Sequence, residues 1–259
     1  MSDIPAHLSP EVFSKVEVRK PVDYVEKYQD FLTTTDEKAV IASAVGSILF
    51  EGSIIDIGAG TGDIPDILGI DPQRYTAIEQ RPEFIDLLKS KGYSVIESLF
   101  PCEAPKQYDN ALMSYVLYGR EQCEEMIDPA WELVKPEGQL IAVTYRDNED
   151  DYNRLLHRSG HTRRVNTDTR FNYLEDRFSS LGQLAVSSIR SHIYSSTVDG
   201  LAAAVSFMAT NTPVGTPEMR HVIHEAIVAE QSYLDETYRT TEGEYQFPID
   251  HYLFTTQKA

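Results

Sequence analysis

Residues 53–65 read Ser-Ile-Ile-Asp-Ile-Gly-Ala-Gly-Thr-Gly-Asp-Ile-Pro. An apolar run ends in an acid, and three glycines follow at alternate positions: Asp56-x-Gly58-x-Gly60-x-Gly62. Apolar residues leading into glycines predict a buried strand, a tight turn and then a helix. Glycine there lets a ligand approach bare backbone, and the helix start turns free N–H groups toward it. A dinucleotide fingerprint, G-x-G-x-x-G, would put its third glycine at position 63, where the chain has Asp63. That carboxylate would repel a pyrophosphate and suits a ligand whose polar end is an amino acid bearing a sulfonium.

Working outward from this stretch, strands and helices alternate. Strands are expected at 53–57, 75–79, 93–97, 109–115 and 139–145, with helices after the glycine turn, at 82–91 and at about 121–134. Pro136-Glu137-Gly138 reads as a turn into the fifth strand. Before the motif, Val22, Tyr24, Val25, Tyr28, Phe31 and Leu32 give one apolar-aromatic helix face, and 36–50 is a second helical run. After it come helices at 151–159, 168–180, 199–210 and 216–238, a strand from Leu184 to Ser195 and a last strand from Tyr252 to Thr256. Alternation of this kind predicts an α/β fold, a Rossmann-like parallel-type sheet of seven strands with helices on both faces.

The glycine motif resembles the first motif of class I S-adenosylmethionine-dependent methyltransferases, D/E-x-G-x-G-x-G. The late return strand matches the antiparallel last strand of that family. The resemblance implies S-adenosylmethionine as cofactor and S-adenosylhomocysteine as product. The cofactor-binding residues it implies are Asp56, Gly58, Ala59, Gly60, Thr61, Gly62, Glu79, Gln80, Ser98, Leu99 and Ser114. Glu79 ends the second strand, where an acid can accept ribose hydroxyls. Ser98 and Leu99 border the adenine in that family, and Ser114 and Tyr115 end the fourth strand beside the methyl group. A single domain over 1–259 is expected, comprising an N-terminal helical cap over 1–50, a cofactor-binding core over 51–146, and substrate-covering helices with the last strands over 147–259.

The string Tyr24-Val25-Glu26-Lys27-Tyr28-Gln29-Asp30-Phe31-Leu32-Thr33-Thr34-Thr35-Asp36-Glu37 resembles the N-terminal segment of histamine N-methyltransferase. That resemblance implies Glu37 as the substrate-orienting, catalytic carboxylate and Tyr24 and Tyr28 as aromatic walls. It places Tyr115 at the methyl-transfer position, with Tyr118, Tyr152 and Asp250 also facing the acceptor. Tyr115 stands where that enzyme has a glutamine, Tyr152 where it has a tryptophan, and Pro248 near an asparagine, which points away from histamine itself. The expected activity is small-molecule methylation, on an amine or heteroaromatic nitrogen. O-methylation, and cofactor binding without turnover, are the alternatives. An O–H acceptor would benefit from a general base, for which His157, His161 and His251 are the candidates.

Composition narrows the partners. Forty-one acidic against 23 basic residues give a formal net charge of −18, which disfavours nucleic acid and anionic membranes. The two cysteines, Cys102 and Cys123, form no metal-binding spacing. Asp147, Asp150 and Asp151 read as a solvated acidic loop, so no metal is expected. The N-terminus has no basic stretch followed by an apolar one, and a cytoplasmic protein with reduced thiols is expected.

Overall fold

The computed structural model describes residues 24–146, 150–161, 167–210 and 216–259. In chain order its elements are α1 (Tyr24–Thr33), α2 (Glu37–Gly46), β1 (Ile54–Ile57), α3 (Asp63–Leu68), a 3₁₀ turn (Pro72–Arg74), β2 (Tyr75–Glu79), α4 (Pro82–Ser90), β3 (Ser94–Glu97) and β4 (Tyr108–Ser114). Then follow α5 (Arg120–Glu132), β5 (Val134–Tyr145), α6 (Asp151–Arg158), α7 (Thr167–Leu181), β6 (Gln183–Ser195), α8 (Val198–Thr210), α9 (Pro217–Val228), α10 (Gln231–Tyr238) and β7 (Tyr245–Gln257).

The seven strands form one sheet in the order β3-β2-β1-β4-β5-β7-β6. β1, β2, β3, β4 and β5 pair in parallel, whereas β7 lies antiparallel to β5 with Ala142 opposite Phe254. This is the expected α/β architecture, including the inserted return strand. A parallel sheet covered on both faces makes its central strands apolar throughout, and all four residues of β1 are buried. The period of two then sorts neighbours to opposite faces. Ile55, Ile57, Met113, Ala142 and Phe254 pack with Ile127, Leu174 and Phe178, so α5 and α7 cover that face. Leu112, Ile141, Val143 and Leu253 pack with Ile41, Val45 and Ile64, so α2 and α3 cover the other.

The chain packs as two compact units. The larger takes its described residues from Thr35–Arg154, Arg163–His192 and Pro248–Ala259, and contains the glycine motif. The smaller takes its own from Met1–Thr34, Leu155–Thr162 and Ile193–Phe247. Within it α1 meets α8 through Phe31 and Phe207, whose rings are 5.6 Å apart. Thr216 caps α9 by accepting the Met219 N–H at 3.2 Å, with Pro217 behind it.

Several element boundaries differ from expectation: the last strand, β7, begins at Tyr245 rather than Tyr252, and α2 ends at Gly46 rather than near 50. The helix foreseen over 216–238 is two helices, α9 and α10, because the Glu230 N–H turns to the Ile227 carbonyl and breaks the i→i−4 ladder. No glycine or proline marks that break. Pro136-Glu137-Gly138 is an irregularity inside β5 rather than a turn before it. Glu137 takes φ +64, the β4 register shifts between Tyr108 and Asn110, and a Cβ on Gly138 would stand 2.8 Å from the Asp109 carbonyl.

Candidate functional site

From β1 the sheet grows one way to β2 and β3 and the other way to β4 and β5. In open α/β sheets the point where the order reverses is where ligands bind, beyond the carboxyl ends of the strands; here that point lies between β1 and β4. The glycine motif sits there. Gly58, Gly60 and Gly62 all have positive φ, +72, +57 and +74. The turn is tied to β2 because the Gly58 N–H donates to the Ile78 carbonyl at 2.8 Å and the Ala59 N–H to the same oxygen at 3.2 Å. A Cβ added to Gly58 would lie 2.4 Å from Val116 Cγ1, whereas one added to Gly60 would meet nothing within 4 Å. Gly58 therefore serves packing, and Gly60 borders open space.

Glu79 is buried at the end of β2. Its Oε2 accepts the Gly60 N–H at 2.9 Å, and its Oε1 accepts the Gln80 and Arg81 N–H groups at 2.8 and 2.9 Å. One carboxylate thus joins the glycine turn to the start of α4. A carboxylate has roughly four lone-pair sites. Three are used, which leaves one for a ribose hydroxyl; accepting both would require release of Gly60. The Ser98 N–H donates to the Glu79 carbonyl at 3.0 Å, so β3 ends beside it, with Leu99 64% exposed. Gln80 is exposed. Thr61 is buried and donates to Asp63, which begins α3.

Asp56 accepts the Tyr75 hydroxyl on Oδ2 at 2.7 Å, while its buried Oδ1 has no hydrogen-bond partner among the described residues. Burial raises its pKa to about 6; the Tyr75 hydrogen bond and the Lys38 charge pull it down, and the Glu79 charge adds to the rise. Ser114 Oγ, at the end of β4, is likewise buried without a partner.

Beyond Ser114, the Tyr115 backbone is left-handed at φ +57, a costly conformation for a tyrosine. Its ring stacks on Tyr145 at 4.5 Å, and Lys38 Nζ lies 5.0 Å from the ring centroid. Its hydroxyl is 2.9 Å from His251 Nδ1, and His251 Nε2 is 2.6 Å from Ser191 Oγ. His251 and Ser191 are fully buried, and burial drives the His251 pKa down to about 4. Glu37, at the first position of α2, is 2% exposed. It accepts the Tyr145 hydroxyl at 2.9 Å and pairs with Lys38 at 3.5 Å. Arg170 ties the same edge together, donating to the Leu117 and Tyr145 carbonyls at 2.9 Å each, and burial lowers its pKa to about 10.

Asp250 is held in a fork by Arg190, at 2.7 and 3.1 Å, with Arg146 3.9 Å away. Burial raises its pKa, but the Arg190 hydrogen bonds and charge outweigh that and leave it lowered. Tyr152 is buried in α6, and Tyr118 is half-buried after β4. Tyr28 lies in the smaller unit, its ring 6.4 Å from Phe207. Tyr24 opens α1, but its side chain lies outside the described residues, as does Asp147. Asp150 accepts the Asn153 N–H at 2.8 Å and so caps α6. Lys38, Tyr145, Ser191 and Arg190 escaped sequence reasoning. Tyr145 ends β5, so the strand-end rule that selects Glu79 and Ser114 also reaches it; nothing in the sequence marks the others.

Among known structures, a Thermotoga maritima S-adenosylmethionine-dependent methyltransferase, described as a possible histamine N-methyltransferase, is similar with a TM-score of 0.51. It is 14% identical and covers 92% of this chain and 95% of its own. The YcgJ protein of Bacillus subtilis matches with a TM-score of 0.52 and 13% identity, over 85% of this chain and 97% of its own. This chain has the class I methyltransferase fold. At such identities the likeness fixes the fold alone. No family model and no curated protein matches the chain.

Proposed function

We propose that the protein is an S-adenosylmethionine-dependent methyltransferase acting on a small molecule, with nitrogen as the methylated atom. The observation that carries the cofactor assignment is the Gly60–Glu79 hydrogen bond beside open space at the switch point. The chain's own residues suit that ligand. Glu79 keeps a lone pair for a ribose hydroxyl, and Gly60 leaves room for backbone approach. Asp56 Oδ1 and Ser114 Oγ, both without a hydrogen-bond partner among the described residues, would receive an amino acid's ammonium. When bound, the cofactor supplies a methyl group on a positively charged sulfur, open to in-line displacement by a lone pair. The protein's part is to align that lone pair and exclude water.

The nitrogen reading rests on Glu37 and its surrounding string. Because Glu37 already holds Tyr145 and Lys38, it would orient an amine only by exchanging one of them. A second reading, O-methylation of an acid, is favoured by the Lys38 ammonium beside the Tyr115 ring.

S-adenosylhomocysteine release over a panel of amines, phenols and carboxylates tests the reading, with calorimetry against S-adenosylmethionine and NADH. Micromolar binding of S-adenosylmethionine with turnover of an amine is expected. Binding of NADH alone would overturn the cofactor assignment, and cofactor binding without release on any acceptor would leave a binding protein. Glu37→Gln is expected to lower kcat/KM for accepted amines about tenfold, the scale of one charge-assisted hydrogen bond. Unchanged amine turnover would remove Glu37 from acceptor binding.

A further inference from the structure

The two edges of the sheet are guarded unequally. β3, at one edge, spans only Ser94–Glu97, and its Glu97 pairs with Lys89 at 2.5 Å. Short length and charge keep an edge from pairing with another chain. β6, at the other edge, runs for 13 residues. Its stretch Gln183-Leu184-Ala185-Val186-Ser187-Ser188-Ile189 holds no charge, glycine or proline, in a chain of net charge −18. Ala185, Ser187 and Ser188 are exposed and Val186 is 38% exposed, so both faces of this stretch stand open to solvent. The backbone groups that point off the edge follow from His192. Its carbonyl accepts the Asp36 N–H at 3.2 Å, and its N–H donates to Asp36 Oδ1 at 2.6 Å. Asp36 lies outside the sheet, so the His192 backbone points away from β7. Backbone direction alternates along a strand. The alternation is unbroken here: Leu184 packs on the face covered by α5 and α7, and Ile189 on the face covered by α2 and α3. Leu184, Val186, Ser188 and Arg190 therefore aim their N–H and C=O groups off the edge, and none of these groups has a partner there among the described residues.

We propose that this edge joins a second copy of the chain, β6 pairing antiparallel with β6 across a two-fold axis at Ser187. An antiparallel strand edge is its own complement under such an axis. The open window begins at Leu184 and ends at Arg190, because Asp36 occupies the edge at His192. Only a centre at Ser187 gives all four outward residues a partner: Leu184 meets Arg190 of the second copy, Val186 meets Ser188, and Ser187 meets itself. Charge favours the same occupant. Two copies of so acidic a chain repel each other, so a stable contact must lie where carboxylates are missing. The one charge in the window, Arg190, is paired with Asp250 at 2.7 Å, and the axis keeps the two arginines at opposite ends. The window offers about seven residues a side against the roughly 20–30 of a standard interface, so the dimer is weak, with a Kd of about 10–100 µM. The pairing stands independently of the reaction the protein catalyses.

Sedimentation velocity on the full chain, from about 5 to 500 µM protein at low and high sodium chloride, tests the pairing. A monomer–dimer equilibrium half-formed at about 10–100 µM is expected, tighter at high salt because salt screens the repulsion between copies. Ser187→Lys sets two like charges directly opposite each other and is expected to raise the Kd at least about tenfold. Its side chain is exposed, so the melting temperature of the dilute monomer should not move. Val186→Pro removes an outward N–H and should weaken the dimer in the same direction. Ser187→Cys fixes the register. Opposite residues of that kind lie about 4.5 Å apart at Cα, within disulfide reach, so oxidation with diamide should give a covalent dimer. Ala185→Cys, which would face Ile189, should give none above the unsubstituted protein. A chain that stays monomeric at every concentration would overturn the proposal. So would a dimer indifferent to Ser187→Lys, one that Ser187→Cys fails to cross-link, or one dissociated by added salt, which would mark an ion-paired interface elsewhere.

Discussion

Gly60→Ala is expected to abolish useful cofactor binding while leaving the fold nearly intact. Gly60 has φ +57, so alanine there costs about 1–2 kcal/mol of left-handed strain. No steric penalty adds to it, because the new methyl group meets no protein atom within 4 Å. The Gly60 N–H can still donate to Glu79. The methyl would, however, stand in the space over which a ligand must lie. A loss of at least about 100-fold in affinity for S-adenosylmethionine follows, or about 2.7 kcal/mol. Gly58→Ala is the contrasting change. Its methyl would fall 2.4 Å from Val116 Cγ1 at φ +72, so it should lower stability well beyond what strain alone costs. Calorimetry for binding and denaturant melts for stability check both. Cofactor affinity within threefold of the unsubstituted value in Gly60→Ala would remove the ligand from this turn.

Asp56→Asn is expected to stabilise the protein at pH 7.5 and to weaken cofactor binding. The Asp56 pKa of about 6 in the folded chain lies above the roughly 3.9 of an unfolded aspartate. The folded state thus holds an extra proton between those values. Its stabilising share is full below about pH 4 and is lost as pH rises through about 6. At pH 7.5 the fold carries a buried charge worth about 3 kcal/mol of destabilisation, from two pKa units at 1.36 kcal/mol each. Asparagine removes that charge and can still accept the Tyr75 hydroxyl, but its amide must find partners of its own, so a net gain of about 2 kcal/mol is expected. No gain is expected at pH 4.5, where the aspartate is already mostly protonated. The carboxylate that costs stability is the one placed to receive a ligand's ammonium, so affinity for S-adenosylmethionine should fall about tenfold or more. Urea melts at the two pH values and calorimetry at pH 7.5 measure both effects. A destabilised Asn variant at pH 7.5, or one with unaltered affinity, would show that Asp56 is a structural group.

These two positions were readable in advance because their constraints are local. Alternate glycines after an apolar run demand a turn with positive φ, and an acid ending the next strand demands a place beside it. Asp56, Gly58, Gly60, Gly62 and Glu79 follow from chain geometry within a βαβ unit, and so does the parallel sheet that places them at one edge. The break between α9 and α10 was not readable, since it turns on one N–H, that of Glu230, choosing between two carbonyl acceptors with no glycine or proline to force it.

The sequence by itself determined the class I methyltransferase sheet and the glycine turn at the end of its first strand, because both arise from the short-range periodicities of strands and helices. Tertiary structure alone decided the company kept by Tyr115. Lys38, Tyr145, Ser191 and His251 come from α2, β5, β6 and β7, more than 100 residues apart at the extremes. Sequence spacing carries no record of which side chains a sheet brings edge to edge. The contact of His251 with Ser191, 60 positions away, is supplied only by the folded chain.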